Sequence, residues 1–150
     1  MIGAGIVGLA VAYKLCSQYN NILVVEKERA FGQHVSSRNS EVIHSGLYYE
    51  PDSLKAKLCV RGNQLMYDFA KKYAINYNNC GKIIVVPDPG EIDKLEVLMQ
   101  NGKQNGVEGL ELISGAEVSQ RESIIRAAGG LAVPSTGIID SHAFMNKLAY

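Results

Sequence analysis

The sequence is short of cysteine, carries no excess of either charge and has no long apolar run. Each shortage removes a class of protein. Cys16, Cys59 and Cys80 are odd in number and widely spaced, which excludes a dense disulfide framework and the paired spacing of a structural metal site. They read as free thiols in a reducing compartment, and no metal is expected. Fifteen basic residues balance fifteen acidic ones. That argues against nucleic acid as a partner, because phosphate contacts draw on a basic excess. No apolar run approaches the roughly 20 residues of a membrane span. No basic segment precedes an apolar one at the start, as it would in a secretory leader. The expected location is cytoplasmic, with contact to a membrane surface allowed and a mitochondrial location if the host is eukaryotic. At 47% hydrophobic and 20% charged, the composition is that of an ordinary globular protein.

Glycine, by contrast, is plentiful, and three residues of it open the chain in a pattern. Residues 2–10 read Ile-Gly-Ala-Gly-Ile-Val-Gly-Leu-Ala. Gly3, Gly5 and Gly8 have the spacing of a strand-to-helix turn that receives a dinucleotide pyrophosphate. Gly3 permits the turn, Gly5 lets backbone approach phosphate, and Gly8 lets the helix pack closely. The phosphates would sit at the positive helix end. A helical run follows, and then residues 22–25, Ile-Leu-Val-Val, predict a fully buried strand. Glu26 ends it, near the spacing of an acid that hydrogen-bonds a ribose hydroxyl. The strand that should precede Gly3 is reduced to Met1 and Ile2.

A polar segment follows the acid. Residues 36–49 read Ser-Ser-Arg-Asn-Ser-Glu-Val-Ile-His-Ser-Gly-Leu-Tyr-Tyr, with little periodicity. Its position after Glu26 would run it along a bound nucleotide. An NAD protein would more typically pass into another regular βα unit, so this loop favours FAD. Further on, Asp52 or Ser53 caps a helix whose Leu54, Leu58, Leu65, Phe69 and Tyr73 predict one buried face. Residues 81–86 predict a strand, and residues 92–99 an amphipathic helix closed by Asn105-Gly106. Residues 110–113 predict a short strand. Ser114 and Glu117 have capping-box spacing, and Asp140 caps a last helix. The order predicts an α/β nucleotide lobe over residues 1–75, an α+β insertion over 76–135, and the start of a return to the first lobe over 136–150.

Four stretches together resemble the FAD-dependent oxidoreductases of the D-amino-acid-oxidase-like group, most closely the L-2-hydroxyglutarate oxidase/dehydrogenase branch. They are residues 2–10, 36–49, 53–62 and 135–140, supported by 80–85. The resemblance implies a partial Rossmann-like FAD-binding lobe with an inserted α+β substrate lobe. It also implies a longer chain of which this is an N-terminal part, so the 150 residues alone are not expected to be a working oxidase, and an apolar sheet edge should lie exposed. The implied reaction is oxidation of a 2-hydroxy acid, L-2-hydroxyglutarate, to the 2-oxo acid, with a quinone or another electron acceptor downstream. The cofactor residues it implies are Gly3, Gly5, Ile6, Val7, Gly8, Glu26, Lys27, Ser37, Arg38, Asn39, Ser40 and His44. His44 is the candidate base or orienter, since neutral imidazole can accept a proton near pH 7; a histidine that only hydrogen-bonds flavin or backbone is the alternative. Tyr48, Tyr49, Lys55 and Arg61 are the candidate substrate residues, and Arg38 and Lys57 are further cations able to meet a carboxylate. Two other functions stay open: a flavoenzyme of the same group acting on an amine or glycerol phosphate, and a non-catalytic fragment.

Overall fold

The computed structural model describes all residues, Met1–Tyr150. The chain forms two compact units. One comprises Met1–Val42, Phe69–Tyr77 and Ile139–Tyr150, and the other Ile43–Asp68 and Asn78–Ile138. Residues 43–68 group with the later sheet.

The first unit is built on helix α1 (Ile6–Leu15), which starts directly on the glycine turn. The last helix, α5 (Ser141–Ala149), packs against it through Phe144, Met145 and Leu148. Asp140 caps α5 by accepting the Ala143 N–H at 2.8 Å, as its position predicts. An aromatic cluster completes this core. Tyr13 meets Phe69 edge-on at 5.4 Å, Phe69 lies 4.9 Å from Phe144, and the Tyr13 and Tyr73 hydroxyls hydrogen-bond.

The buried strand expected at residues 22–25 does not form. A single parallel bridge joins Ile2 and Val25, carried by Val25 N–H to the Met1 carbonyl and Gly3 N–H to the Val25 carbonyl. Ile2, Leu23 and Val25 are 92%, 74% and 51% exposed. Only Ile2 and Val25 pair, so the apolar run is held at one point.

The second unit holds an antiparallel sheet ordered β3 (Lys82–Val86), β5 (Gly129–Val133), β4 (Glu111–Ser114). The register sets Ile84 opposite Leu131 and Leu112 opposite Leu131. Alternation along β5 sends Leu131 and Val133 into one core with Leu47, Val86, Leu95 and Val107. Ala132 goes the other way, into a smaller core with Ile113 and Val118. Helices α3 (Ile92–Gln104) and α4 (Gly115–Arg121) cover the sheet. Every residue of β5 is buried in consequence. The Ser114–Glu117 capping box is complete in both directions. Three short strands, β1 (Val42–Ile43), β6 (Gly137–Ile139) and β2 (Tyr77–Asn78), pair in that order.

Helix α2 (Leu54–Lys72) is capped by Ser53, whose Oγ accepts the Ala56 N–H at 3.1 Å. Its buried face is only partly the expected one: Phe69 and Tyr73 join the aromatic cluster, but the three leucines do not pack. Leu54, Leu58 and Leu65 are 71%, 56% and 55% exposed, while Ala56, Asn63 and Ala70 are buried. Small side chains and one amide, at spacings of seven, are buried in place of the leucines, and the amide of Asn63 meets the backbone carbonyls of His44 and Ser135.

Candidate functional site

In the first unit the glycine turn has the geometry its spacing demands. Gly3 lies at φ +93°, in the left-handed region, with open space where a Cβ would sit. A Cβ on Gly8 would lie 2.1 Å from the Gly3 carbonyl oxygen, so the helix start closes on the turn itself. A helix cannot satisfy its first N–H groups internally. Here the Ile6 N–H donates to Ser36 Oγ at 3.0 Å, and those of Val7 and Gly8 have no partner. Together they form a cradle of backbone donors at a positive helix end, which is what a pyrophosphate requires.

Glu26 stands beside that cradle. Its carboxylate accepts the Ala4 N–H at 2.6 Å and the Glu28 N–H at 3.1 Å. These bonds hold its pKa below the usual carboxylate range, the Ala4 bond foremost. A carboxylate has about four lone-pair sites, so acceptor capacity is left for a ribose hydroxyl. Ala4 and Glu26 also border a hollow of about 490 Å³ whose lining mixes apolar side chains such as Leu9, Phe31 and Leu148 with Glu28 and Arg29. The donor set and the acid fit a dinucleotide.

The polar loop after the acid is shaped by its own side chains. Asn39 donates to the Ser36 carbonyl at 3.0 Å and accepts the Glu41 N–H at 2.8 Å. Ser37 Oγ donates to the His34 carbonyl. Arg38 and Ser40 are exposed, and exposed Lys27 pairs with Glu28 at 3.6 Å. Glu41, at φ +57°, accepts both the N–H and the hydroxyl of Ser141, at 2.9 and 2.7 Å. Those two bonds, the hydroxyl's first, lower its pKa. Ser36 and Glu41 thus anchor the two ends of the loop. Neither is among the residues expected from sequence; a serine thirty residues from the turn gives no periodic signal.

In the second unit, residues 44–49 carry His44, Tyr48 and Tyr49. His44 and Tyr48 are exposed, whereas Ser45, Gly46 and Leu47 are buried. Three asparagine side chains hold this segment by its carbonyl groups. Asn63 Nδ2 donates to the His44 carbonyl at 3.0 Å and to the Ser135 carbonyl at 2.8 Å. Asn101 donates to Leu47 and Tyr49, at 2.7 and 2.9 Å, and Asn105 to Gly46 and Tyr49, at 3.0 and 2.7 Å. Gly102 lies between these two asparagines on α3, and a Cβ there would strike Leu47 at 2.4 Å. Asn101 and Asn105 sit one helical turn apart, so they share the face that meets the loop. The sequence signal was present as i, i+4 amides beside a glycine, but nothing in it named their partner.

The candidate substrate residues divide. Lys55 lies over the Tyr49 ring at 4.5 Å, and Lys82 over the Tyr48 ring at 4.4 Å. Lys57 is paired with Asp52 at 3.3 Å, and Arg61 is exposed. Cys59 Sγ is 3.7 Å from the His44 carbonyl, and burial raises its thiol pKa despite the opposing charge of Lys55. A hollow of about 630 Å³ over β3 and α4 includes Lys82 but none of His44, Tyr48 or Tyr49.

These features have relatives. The family model of FAD dependent oxidoreductases designated DAO matches residues 1–150. The chain belongs to this FAD-dependent oxidoreductase family. It is 46% identical over 148 residues to the mitochondrial L-2-hydroxyglutarate dehydrogenase of Arabidopsis thaliana, covering 99% of this chain and 31% of that protein. It is 44% identical over 142 residues to the Homo sapiens protein of the same name, covering 93% and 31%. The chain therefore spans about a third of the length of these curated relatives. Among solved structures, the dithionite-reduced L-alpha-glycerophosphate oxidase of Mycoplasma pneumoniae, with FAD bound, superposes with a TM-score of 0.86 at 30% identity, over 99% of this chain and 40% of that one. The L-proline dehydrogenase of P. horikoshii, at 20% identity and a TM-score of 0.83, shares the fold. The mixed helix and sheet architecture is thus that of a partial α/β FAD-binding lobe, and FAD is the family's cofactor.

Proposed function

We propose that this chain belongs to an enzyme that oxidises a 2-hydroxy acid, L-2-hydroxyglutarate, to the 2-oxo acid. The observation that carries the substrate is the 46% identity to a protein of that activity across nearly the whole chain. The turn at Gly3, Gly5, Ile6, Val7 and Gly8 holds the pyrophosphate, and Glu26 takes a ribose hydroxyl, with Lys27 beside it. Ser37, Arg38, Asn39 and Ser40 line the path of the rest of the cofactor. When bound, FAD supplies the hydride acceptor. His44 takes the hydroxyl proton as the Cα–H bond breaks, and Tyr48, Tyr49, Lys55 and Arg61 orient the acid. In this reading the nucleotide lobe spans residues 1–75, the substrate lobe 76–135, and the return begins at 136. The electrons pass on to a quinone or another acceptor. The relatives' names place them in mitochondria, and the same compartment is proposed in a eukaryotic host. No helix is long and apolar enough to cross a membrane.

The superposition on a glycerophosphate oxidase favours a second reading, oxidation of glycerol phosphate. The test uses the chain as its gene encodes it. The purified protein should show a flavin absorption spectrum and reduce a dye with L-2-hydroxyglutarate, and with neither its D enantiomer nor glycerol 3-phosphate. A colourless protein that binds NAD would reject the cofactor; turnover of glycerol 3-phosphate alone would install the second reading.

A further inference from the structure

We propose that Lys82, seated on the ring of Tyr48, receives the carboxylate of the substrate that lies farthest from the reacting carbon. The inference rests on the 2-hydroxy acid reading and extends it to a residue that reading does not use. Lys82 is half-buried, and every other lysine in the chain is exposed. A partly desolvated ammonium is costly unless it is paired. Yet Lys82 has no carboxylate partner: the ion pairs of the chain involve Lys27, His34, Lys57, Lys94 and Arg121. Its contacts are the Tyr48 ring, 4.4 Å from Nζ, and the Tyr48 hydroxyl at 3.4 Å. A ring face stabilises the cation without neutralising it. The tyrosine itself is 57% exposed, so the pair presents positive charge and a hydroxyl donor to the outside.

The placement of this pair is fixed. Lys82 begins β3, which the sheet holds in register opposite Val133. Tyr48 sits between two carbonyl groups clamped by Asn101. Recognition therefore needs little ordering when an anion arrives. Chain distance assigns which carboxylate is met. Tyr48 is four residues from His44, a reach of up to about 14 Å along extended chain. Lys55, on Tyr49, lies near Cys59, which touches the His44 carbonyl. Lys55 thus suits the carboxylate next to the hydroxyl carbon, and Lys82 the one at the other end.

The test uses the flavin-loaded chain as its gene encodes it, with a binding and a kinetic readout. Calorimetric titration compares glutarate with pentanoate, which has a methyl in place of one carboxylate. The unaltered protein should bind glutarate more tightly, and Lys82→Gln should weaken glutarate by about 10- to 100-fold while changing pentanoate by less than about 3-fold. Lys82→Arg should recover part of the loss, and Lys57→Gln, which removes a charge already paired with Asp52, should change nothing. In turnover, Lys82→Gln should raise KM for L-2-hydroxyglutarate and leave L-2-hydroxypentanoate nearly unaltered. Equal losses for both ligands, no loss for either, or an unaltered protein without preference for glutarate would overturn the proposal. If the unaltered protein binds glutarate through Lys82 but does not oxidise L-2-hydroxyglutarate, the functional reading falls and the carboxylate site stands.

Discussion

Single residues set the tolerances of both candidate sites. Gly8 and Gly3 fail differently when altered. Gly8→Ala forces a Cβ against the Gly3 carbonyl oxygen at 2.1 Å, an overpacking cost of about 1–3 kcal/mol. Gly3→Ala meets no neighbour and is strained by its φ of +93° alone, about 1–2 kcal/mol. Denaturant unfolding should show both losses, with flavin content falling further for Gly8→Ala, because that change displaces the donor cradle. The asparagine clamp makes a second demand. The Tyr49 carbonyl has two donors, so Asn101→Ala leaves only the Leu47 carbonyl unpaired and Asn105→Ala only that of Gly46. The double variant also strips Tyr49. It should be destabilised beyond the sum of the singles by about 1 kcal/mol. A strictly additive cycle would show that the shared carbonyl finds water instead.

The carboxylates give a pH dependence of known sign. Glu26 and Glu41 have depressed pKa values in the folded chain, Glu26 chiefly through the Ala4 N–H and Glu41 chiefly through the Ser141 hydroxyl. A depressed acid contributes stability that is fully present above its unfolded pKa, about 4.3 for Glu, and is lost as pH falls through the lower folded value. Glu26→Gln and Glu41→Gln should therefore lower Tm at pH 7. The gap to the unaltered protein should begin to narrow below about pH 4.3 and close only beneath the depressed folded value. A gap that persists unchanged at low pH would mean that shape, not charge, holds these side chains.

At the scale of elements, the helix ends and the packed face of α3, with Ile92, Leu95, Leu98 and Met99, were legible in the sequence, and the face of α2 only in part. Ser53, Ser114, Asp140 and Gly106 act within a few residues of themselves, so local pattern suffices to place them. Likewise the glycine turn follows from its spacing, and the strands β3 and β4 from their short apolar runs. The buried face of α2 depends instead on what packs there. Two loop carbonyls call for Asn63, which is buried with Ala56 and Ala70, while the leucines lie outward. The strand expected at residues 22–25 is absent because apolar content signals burial but not pairing, and only Val25 finds a bridge partner. In this 150-residue chain, Ala70→Leu at a fully buried position should cost about 1–3 kcal/mol. Leu58→Gln, at 56% exposed, should shift stability by less than about 0.5 kcal/mol. The reverse ranking would restore the leucine stripe as the packed face.

The whole molecule joins two units whose cores are unlike. The second has a three-stranded sheet with Leu131 and Val133 fully buried in one core and Val118 in another. The first has two helices, an aromatic cluster and one parallel bridge whose apolar residues stay open to water. Local opening costs least where few buried contacts and few ladder bonds must break. Amide exchange should accordingly be slowest in β5, at Leu131, Ala132 and Val133, and much faster at Gly3 and Val25, whose hydrogen bonds belong to the lone bridge. Binding stabilises the form that binds, so added FAD should slow exchange at Gly3, Val7 and Gly8. It should leave β5 nearly unchanged, since that strand opens only with its own core. Equal protection of the bridge and of β5 without cofactor would show that the first unit draws stability from something other than its own contacts. Protection that rises uniformly on adding FAD would show that the two cores open as one.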